Sequence, residues 1–491
     1  MSRHLPCFAL LAALLSGCTV GPDYRKPELA VPPAFAAADE VGSTSPDGPW
    51  WRAFGDDELT ALIDRAVRGN TDVRVAVARL RQARAALTGA AARALPQVDV
   101  GADVTNSQFS ENGFLKGLGG SGPPGAIVPG QRIDLQQVDL DASWELDIFG
   151  GVRRAEEASR AELAAASHDL HAVLVSLLGE LAGSYFDLRG LQQRLAIAER
   201  TVTYQQATLD VITEQVDAGI ADAFDLERAR NLLANARAHA PELQAQVHAT
   251  MRRLEVLLGA MPGTLQAELQ DARPLPPMPE ALAVGIPSQT LRRRPDVQAA
   301  ERRLAAATAR IGEATADLFP RFSLTGQVGL QSQRLDELGS GDSLFWLVGP
   351  SVRWPLLDFG RVRANIAVQD ARTEQALAIY EGTVLQALSD VEVALVRLAR
   401  DRRRVAALTD AHTAAEQALH LAEERYRSGV LEFLDLLDSQ RTVDDAADAQ
   451  ARGEQSVASD VVALFKALGG GWEVFDGSPA TGTAAPATAG D

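Results

Sequence analysis

From Val138 to Ile148 every second residue is apolar: Val138, Leu140, Ala142, Trp144, Leu146 and Ile148. Asp139, Asp141, Ser143, Glu145 and Asp147 stand between them. A period of two with carboxylates on one side predicts a strand with one apolar and one wet face. Val98, Val100, Ala102 and Val104 repeat the pattern, as do Phe322, Leu324, Val328 and Leu330. A fourth strand, near Trp346–Leu356, is rougher because Pro350 and Pro355 interrupt it. The strands pair off as two hairpins, about 97–149 and about 321–358.

After Gly150 and Gly360 the period changes. Leu174, Leu181, Leu188, Leu195, Val202, Leu209 and Val216 fall seven residues apart, with Leu170, Leu177 and Leu191 filling the seam. Val384, Val391, Leu398, Val405, Leu419 and Tyr426 echo them. A strict heptad implies left-handed supercoiling against neighbouring helices. A helix from about 152 to 218 is on the order of 100 Å long, more than a globular domain needs. Return helices are expected at about 222–258 and 432–468, and shorter helices at about 57–95 and 288–319 before each hairpin. Pro241 is expected to kink the first return helix.

The two halves are copies. Thr71-Asp72-Val73 through Leu95-Pro96 superpose on Pro295-Asp296-Val297 through Phe319-Pro320 at a shift of about 224. Trp144-Glu145-Leu146-Asp147-Ile148-Phe149-Gly150 matches Trp354-Pro355-Leu356-Leu357-Asp358-Phe359-Gly360 at a shift of about 210, which also sets Gly219 on Gly429. The first copy carries the extra residues in a Gly/Pro-rich stretch, Gly117–Gly130, expected to be an exposed loop. The organisation predicted is a leader over 1–17, an extended segment over 18–50, a first repeat over 51–258, a Pro-rich linker over 259–287, a second repeat over 288–468 and a flexible tail over 469–491.

Four amphipathic strands cannot close a barrel, and open edges in lipid would leave backbone groups unpaired. Closure must come from other chains, and three copies supply about twelve strands. Trp144, Trp346 and Trp354 would then sit at membrane interfaces. A globular β-sandwich is the alternative, but the long flanking helices have no place in one.

Composition narrows the partners. The chain has 491 residues with 47 Lys+Arg against 65 Asp+Glu, a net charge of −18 that argues against nucleic acid as the main partner. Arg3 and His4 precede an apolar run from Leu5 to Leu15, which reads as a secretory leader. Leu15-Ser16-Gly17-Cys18 resembles a lipobox, which makes Cys18 the lipidation site and the first mature residue. Thr19, rather than Asp, follows it, and by resemblance this points to the outer membrane. Cys7 lies in the leader, so the mature chain has no disulfide framework and no cysteine metal site.

The lipobox with Val20-Gly21-Pro22-Asp23-Tyr24, the two helix–hairpin–helix copies, and the closing Leu464-Phe465-Lys466-Ala467-Leu468-Gly469-Gly470-Gly471-Trp472 resemble the TolC-like outer membrane factors. The likeness is greatest to the lipid-anchored OprM/NodT branch. It implies a mixed α and β membrane protein, a homotrimer with a twelve-stranded outer-membrane β-barrel continued by a long periplasmic α-helical barrel. The implied function is the exit duct of a tripartite efflux system, exporting small molecules with a periplasmic adaptor and an inner-membrane pump of RND type. No enzymatic activity and no cofactor beyond the Cys18 lipid are implied. The outer component of a type I protein-secretion system and a non-conducting coiled-coil lipoprotein stand as alternatives.

The helix reversals mark the expected periplasmic mouth. Gly219 and Gly429 suit the left-handed turn that ends a helix, which puts Gly219, Ile220, Gly429 and Val430 at the adaptor-contact tips. The resemblance carries an aperture of Leu434 and Asp438 onto the second copy, with Asp435 one turn from Asp438. Arg425, Tyr426, Arg427 and Arg441 flank it as candidate tethers between helices, loosened when adaptor or pump docks. The plainer reading of Asp435, Asp438, Asp445 and Asp448 is a solvated helix face. His168 and His171, at i and i+3, lack a third metal ligand nearby, and His412 on an apolar heptad position reads as a packed polar group. The exported substrate is not legible in the residues.

Overall fold

A computed structural model describes residues 19–36, 49–108, 110, 132–220, 222–279 and 285–475. Cys18, the 117–130 loop and the segment after Phe475 lie outside them. The first repeat comprises α1 (Asp57–Gly69), α2 (Thr71–Ala92), β1 (Gln97–Gln108), β2 (Arg132–Leu146), α3 (Gly151–Asp217) and α4 (Ala223–Leu257). After a short α5 (Gln266–Leu269) come α6 (Pro287–Arg293), α7 (Pro295–Ala316), β3 (Arg321–Ser332), β4 (Leu344–Arg353), α8 (Arg361–Arg427) and α9 (Phe433–Leu468). The chain divides into two compact units, one of residues 1–26, 82–163 and 302–377, the other of the remainder.

The first unit holds one antiparallel four-stranded sheet in the order β1-β2-β3-β4. Gln97 pairs with Ser143, Leu146 with Phe322, and Arg321 with Arg353. Every even-numbered strand residue therefore shares one face. Val98, Val100, Val104, Val138, Leu140, Leu324, Val328, Trp346, Val348 and Val352 lie on it, all exposed in the single chain. The odd face carries Asp99, Asp103, Gln137, Asp139, Asp141 and Gln327, with Gln327 donating to Asp139 Oδ2 at 2.8 Å. Pro350 does not stop β4, which is an edge strand of this sheet, where a missing N–H is tolerated.

Each of the two helices expected before the hairpins is split in two. Asn70 ends α1 in extended conformation, accepts from the N–H groups of Asp72 (2.8 Å) and Val73 (3.1 Å), and donates to Leu257 O at 2.9 Å. Arg294 does the equivalent work in the second repeat: it ends α6 and donates to Ala467 O at 3.1 Å. Those positions differ by the same two shifts, 224 and 210, that relate the repeats.

The core of the second unit is aromatic and leucine-rich. Trp50 stacks on Phe465 with centroids 5.0 Å apart, Phe54 packs against Phe186 at 4.8 Å, and Leu59, Leu62, Leu174, Leu181 and Leu188 are fully buried. Each such side chain contributes roughly 1.5–3 kcal/mol relative to exposure. The expected flexible tail opens with an ordered turn, Trp472–Phe475, whose Phe475 stacks on Trp51. Along α3 the heptad seam is buried as far as Leu191 and only half-buried at Leu195, Val202, Leu209 and Val216. In α8 burial falls off in the same way after Leu398. Pro241 lies within a continuous α4.

Candidate functional site

Both helix reversals are built alike. Gly219 has φ 71° and Gly429 φ 71°, a left-handed conformation that costs glycine nothing. Gly219 N donates to Val216 O at 2.9 Å and Ile220 N to Gln215 O at 2.8 Å. Gly429 N donates to Tyr426 O and Val430 N to Arg425 O, each at 2.9 Å. This paired pattern satisfies the last carbonyls of each helix and ends it there. Ile220 is 78% exposed and Val430 77%, so each turn presents an exposed apolar tip.

Beyond the turn, α9 sorts its residues by face. Leu436 and Leu437 are buried, whereas Leu434, Asp435 and Asp438 are exposed on the other side. The three predicted aperture residues thus share the free face of one helix end. Asp438 accepts from Arg441 at 3.1 Å, an exposed pair one turn apart on the same helix. Arg427 likewise bonds Glu423 on its own helix, at 3.0 Å. Arg425 contributes its carbonyl to the turn, accepting from Ser428 Oγ at 2.9 Å. Of the candidate tethers, Tyr426 is the one that reaches a neighbouring helix: its hydroxyl donates to Gln215 Oε1 on α3 at 3.3 Å, and its ring packs 5.9 Å from Phe433.

Sequence reading missed Gln215 and Asp444. Gln215 sits one residue before heptad position Val216 and has no partner in sequence. Asp444, about two and a half turns beyond Asp435, is half-buried, and burial holds its carboxyl above the ordinary range against a bond from Thr201. Asp448, in the acidic stripe, is tied by Arg194 at 2.7 Å and Arg452 at 2.9 Å, while Asp445 is exposed. His412 Nδ1 lies 2.8 Å from Gln450 Oε1, and the His171 ring stacks on Trp472 at 3.9 Å. Among the described residues no cluster of His, Cys, Asp and Glu is disposed to hold a metal ion, and no helix is long and apolar enough to cross a membrane.

Residues 62–260 and 286–470 match the family described as outer membrane efflux protein. The chain is 32% identical over 472 residues to nodulation protein T of Rhizobium leguminosarum bv. trifolii, covering 95% of this chain and 97% of that one. It is also 32% identical over 472 residues to outer membrane protein OprJ of Pseudomonas aeruginosa, covering 94% and 95%. The solved outer-membrane channel OprN superposes with a TM-score of 0.85 at 38% identity, covering 93% of this chain and 100% of that one.

Proposed function

The chain belongs to the outer membrane efflux protein family, and on that premise we propose that three copies form the exit duct of a tripartite efflux system. The observation that carries the proposal is the open sheet. One face is apolar and exposed, the other is mostly polar, and among the described residues both edge strands lack a partner. Such a sheet is stable in a bilayer only if other copies continue it until it closes. The apolar even face then meets lipid and the acidic odd face lines water.

In this reading Cys18 carries the acyl anchor, with palmitate as one of its chains, and holds the duct in the outer membrane. The helical ends at Gly219, Ile220, Gly429 and Val430 meet a periplasmic adaptor, and an inner-membrane pump of RND type supplies the energy. Leu434, Asp435 and Asp438 form the aperture. Three Asp438 carboxylates brought within 4 Å would repel by about 1 kcal/mol per pair in water and about 4 at an effective dielectric of 20. The ring therefore draws cations and needs bonds such as Tyr426–Gln215 to stay narrow. Docking of adaptor or pump loosens these bonds.

Purified protein in planar bilayers tests the proposal. Discrete, cation-preferring conductance steps are expected. A lipoprotein that merely spans the periplasm gives none.

A further inference from the structure

A half-open cavity of about 490 Å³ lies between α3, α8, the end of α9 and the break that separates α6 from α7. Its wall comes from one chain and lies wholly in the second unit. A space of that size suits a small molecule. Part of the wall is apolar: Val175 and Ala394 are buried, Ala463 lines it beside them, and Val393 remains 45% exposed. A ligand with an apolar body would take that valine surface out of water.

Three cations and two carboxylates stand on the same wall. The carboxylates are already engaged. Asp296 accepts from Arg294 Nε at 3.1 Å and from Nη2 at 2.7 Å. Asp390 accepts from Arg294 Nη1 at 3.0 Å and from Gln386 Nε2 at 2.7 Å. With every oxygen bonded, this pair offers little to a cationic guest. Lys466 lays its stem in the notch left by Gly179, where a Cβ would stand 2.9 Å from Lys466 Cδ, and its ammonium is 3.5 Å from Glu180 Oε1. Arg397 is exposed and, among the described residues, hydrogen-bonded to none. Its charge also acts on Asp460, in an adjoining cavity that Arg397 lines as well.

The architecture does not call for these cations. The repeat shifts of 224 and 210 carry Arg294, Arg397 and Lys466 onto Asn70, Asp187 and Val256. The first repeat thus builds the same helix junction with none of the three. Their gathering around one cavity of the second repeat answers to something other than packing.

We propose that this cavity binds a compact organic carboxylate, its head on the Arg397 guanidinium with Lys466 beside it, and its apolar body on Val175, Val393, Ala394 and Ala463. The planar fork of an arginine matches the two oxygens of a carboxylate. Ser176 and Ser389, on the same wall, supply hydroxyls within one helical face of the head. The site is complete in a single chain and requires neither the barrel nor a pump, so it stands or falls apart from the duct.

Calorimetric titration of the full-length lipidated protein in lipid nanodiscs, with empty nanodiscs subtracted, tests the site. The probes are 4-phenylbutyrate, 4-phenylbutylammonium, which reverses the head charge on the same body, and acetate, which keeps the head alone. Phenylbutyrate should bind saturably, one per chain, at least about tenfold more tightly than either of the others. Arg397→Gln should weaken it by about tenfold or more, whereas Arg404→Gln, on the same helix outside the cavity, should leave it unchanged. Val393→Trp, which fills the cavity, should abolish binding; a melting temperature for each variant shows that it is folded. Equal affinity for the two phenylbutyl probes, or equal loss in both arginine variants, overturns the proposal by showing an unspecific apolar or charged surface. Absence of saturable binding also overturns it, since a neighbouring copy or water alone then occupies the space.

Discussion

Asp460 on α9 faces Asp401 on α8 and is half-buried. Burial pushes its carboxyl up from 3.8 to about 6, and Asp401 pushes the same way while Arg397 opposes it. The native state therefore holds this proton more tightly than the unfolded chain does. Between about pH 4 and 6 stability falls as pH rises, and above pH 6 the whole penalty of a buried carboxylate remains. Two units correspond to about 3 kcal/mol, and solvent screening at a half-exposed site reduces that to about 1–2. Asp460→Asn removes the charge and keeps the shape. At pH 8 the variant should be more stable than the parent by about 1–2 kcal/mol per chain, which for a chain this long is about 1–2 °C in apparent melting temperature. At pH 4, where Asp460 is protonated in the native state, the difference should vanish. The assay is tryptophan fluorescence on heating in detergent at pH 4, 5, 6 and 8, for parent and variant side by side. An offset of the same size at every pH would show instead that shape and not charge sets the effect.

Other expectations follow from the same geometry. Tyr426→Phe deletes one bond per chain worth roughly 0.5–1 kcal/mol, so three copies should favour the wider aperture by roughly tenfold or more, read as open probability in planar bilayers. Asp438→Asn and Asp435→Asn should each move the reversal potential in a salt gradient toward zero, the outcome expected of the proposed carboxylate ring. Arg189, fully buried against Glu58 and bonded to Gln192 at 2.7 Å, cannot be removed cheaply: Arg189→Leu leaves Glu58 with the neutral Tyr185 hydroxyl at 3.0 Å and the more distant Arg273 at 3.4 Å, and should cost about 3–5 kcal/mol in denaturant unfolding. Cys18→Ser should abolish metabolic labelling with radioactive palmitate.

Much of this fold is legible because the chain writes it twice. Alternation at Val138–Ile148 marks the strand face, and the repeat arithmetic places both hairpins. Breaks at Asn70 and Arg294 were not legible. Each depends on a carbonyl at the far end of a return helix, Leu257 O or Ala467 O, about 170–190 residues away. Tyr426 was singled out by its place beside the turn, but its acceptor, Gln215, lies in the other repeat. Asp438 and Arg441 were legible as neighbours, though their bond stays on one helix, because i, i+3 spacing brings them together more readily than a bond between helices would. Phe149 and Phe359 stand in the same motif, yet one is stacked and the other bare. Local pattern cannot separate them, since the difference is whether the next repeat belongs to the same chain.

In the proposed duct one chain carries only part of a closed wall. Native mass spectrometry of the mature protein released from mild detergent measures this directly. A dominant species of three copies, resistant to dilution, is predicted; a folded, monodisperse single copy would contradict it.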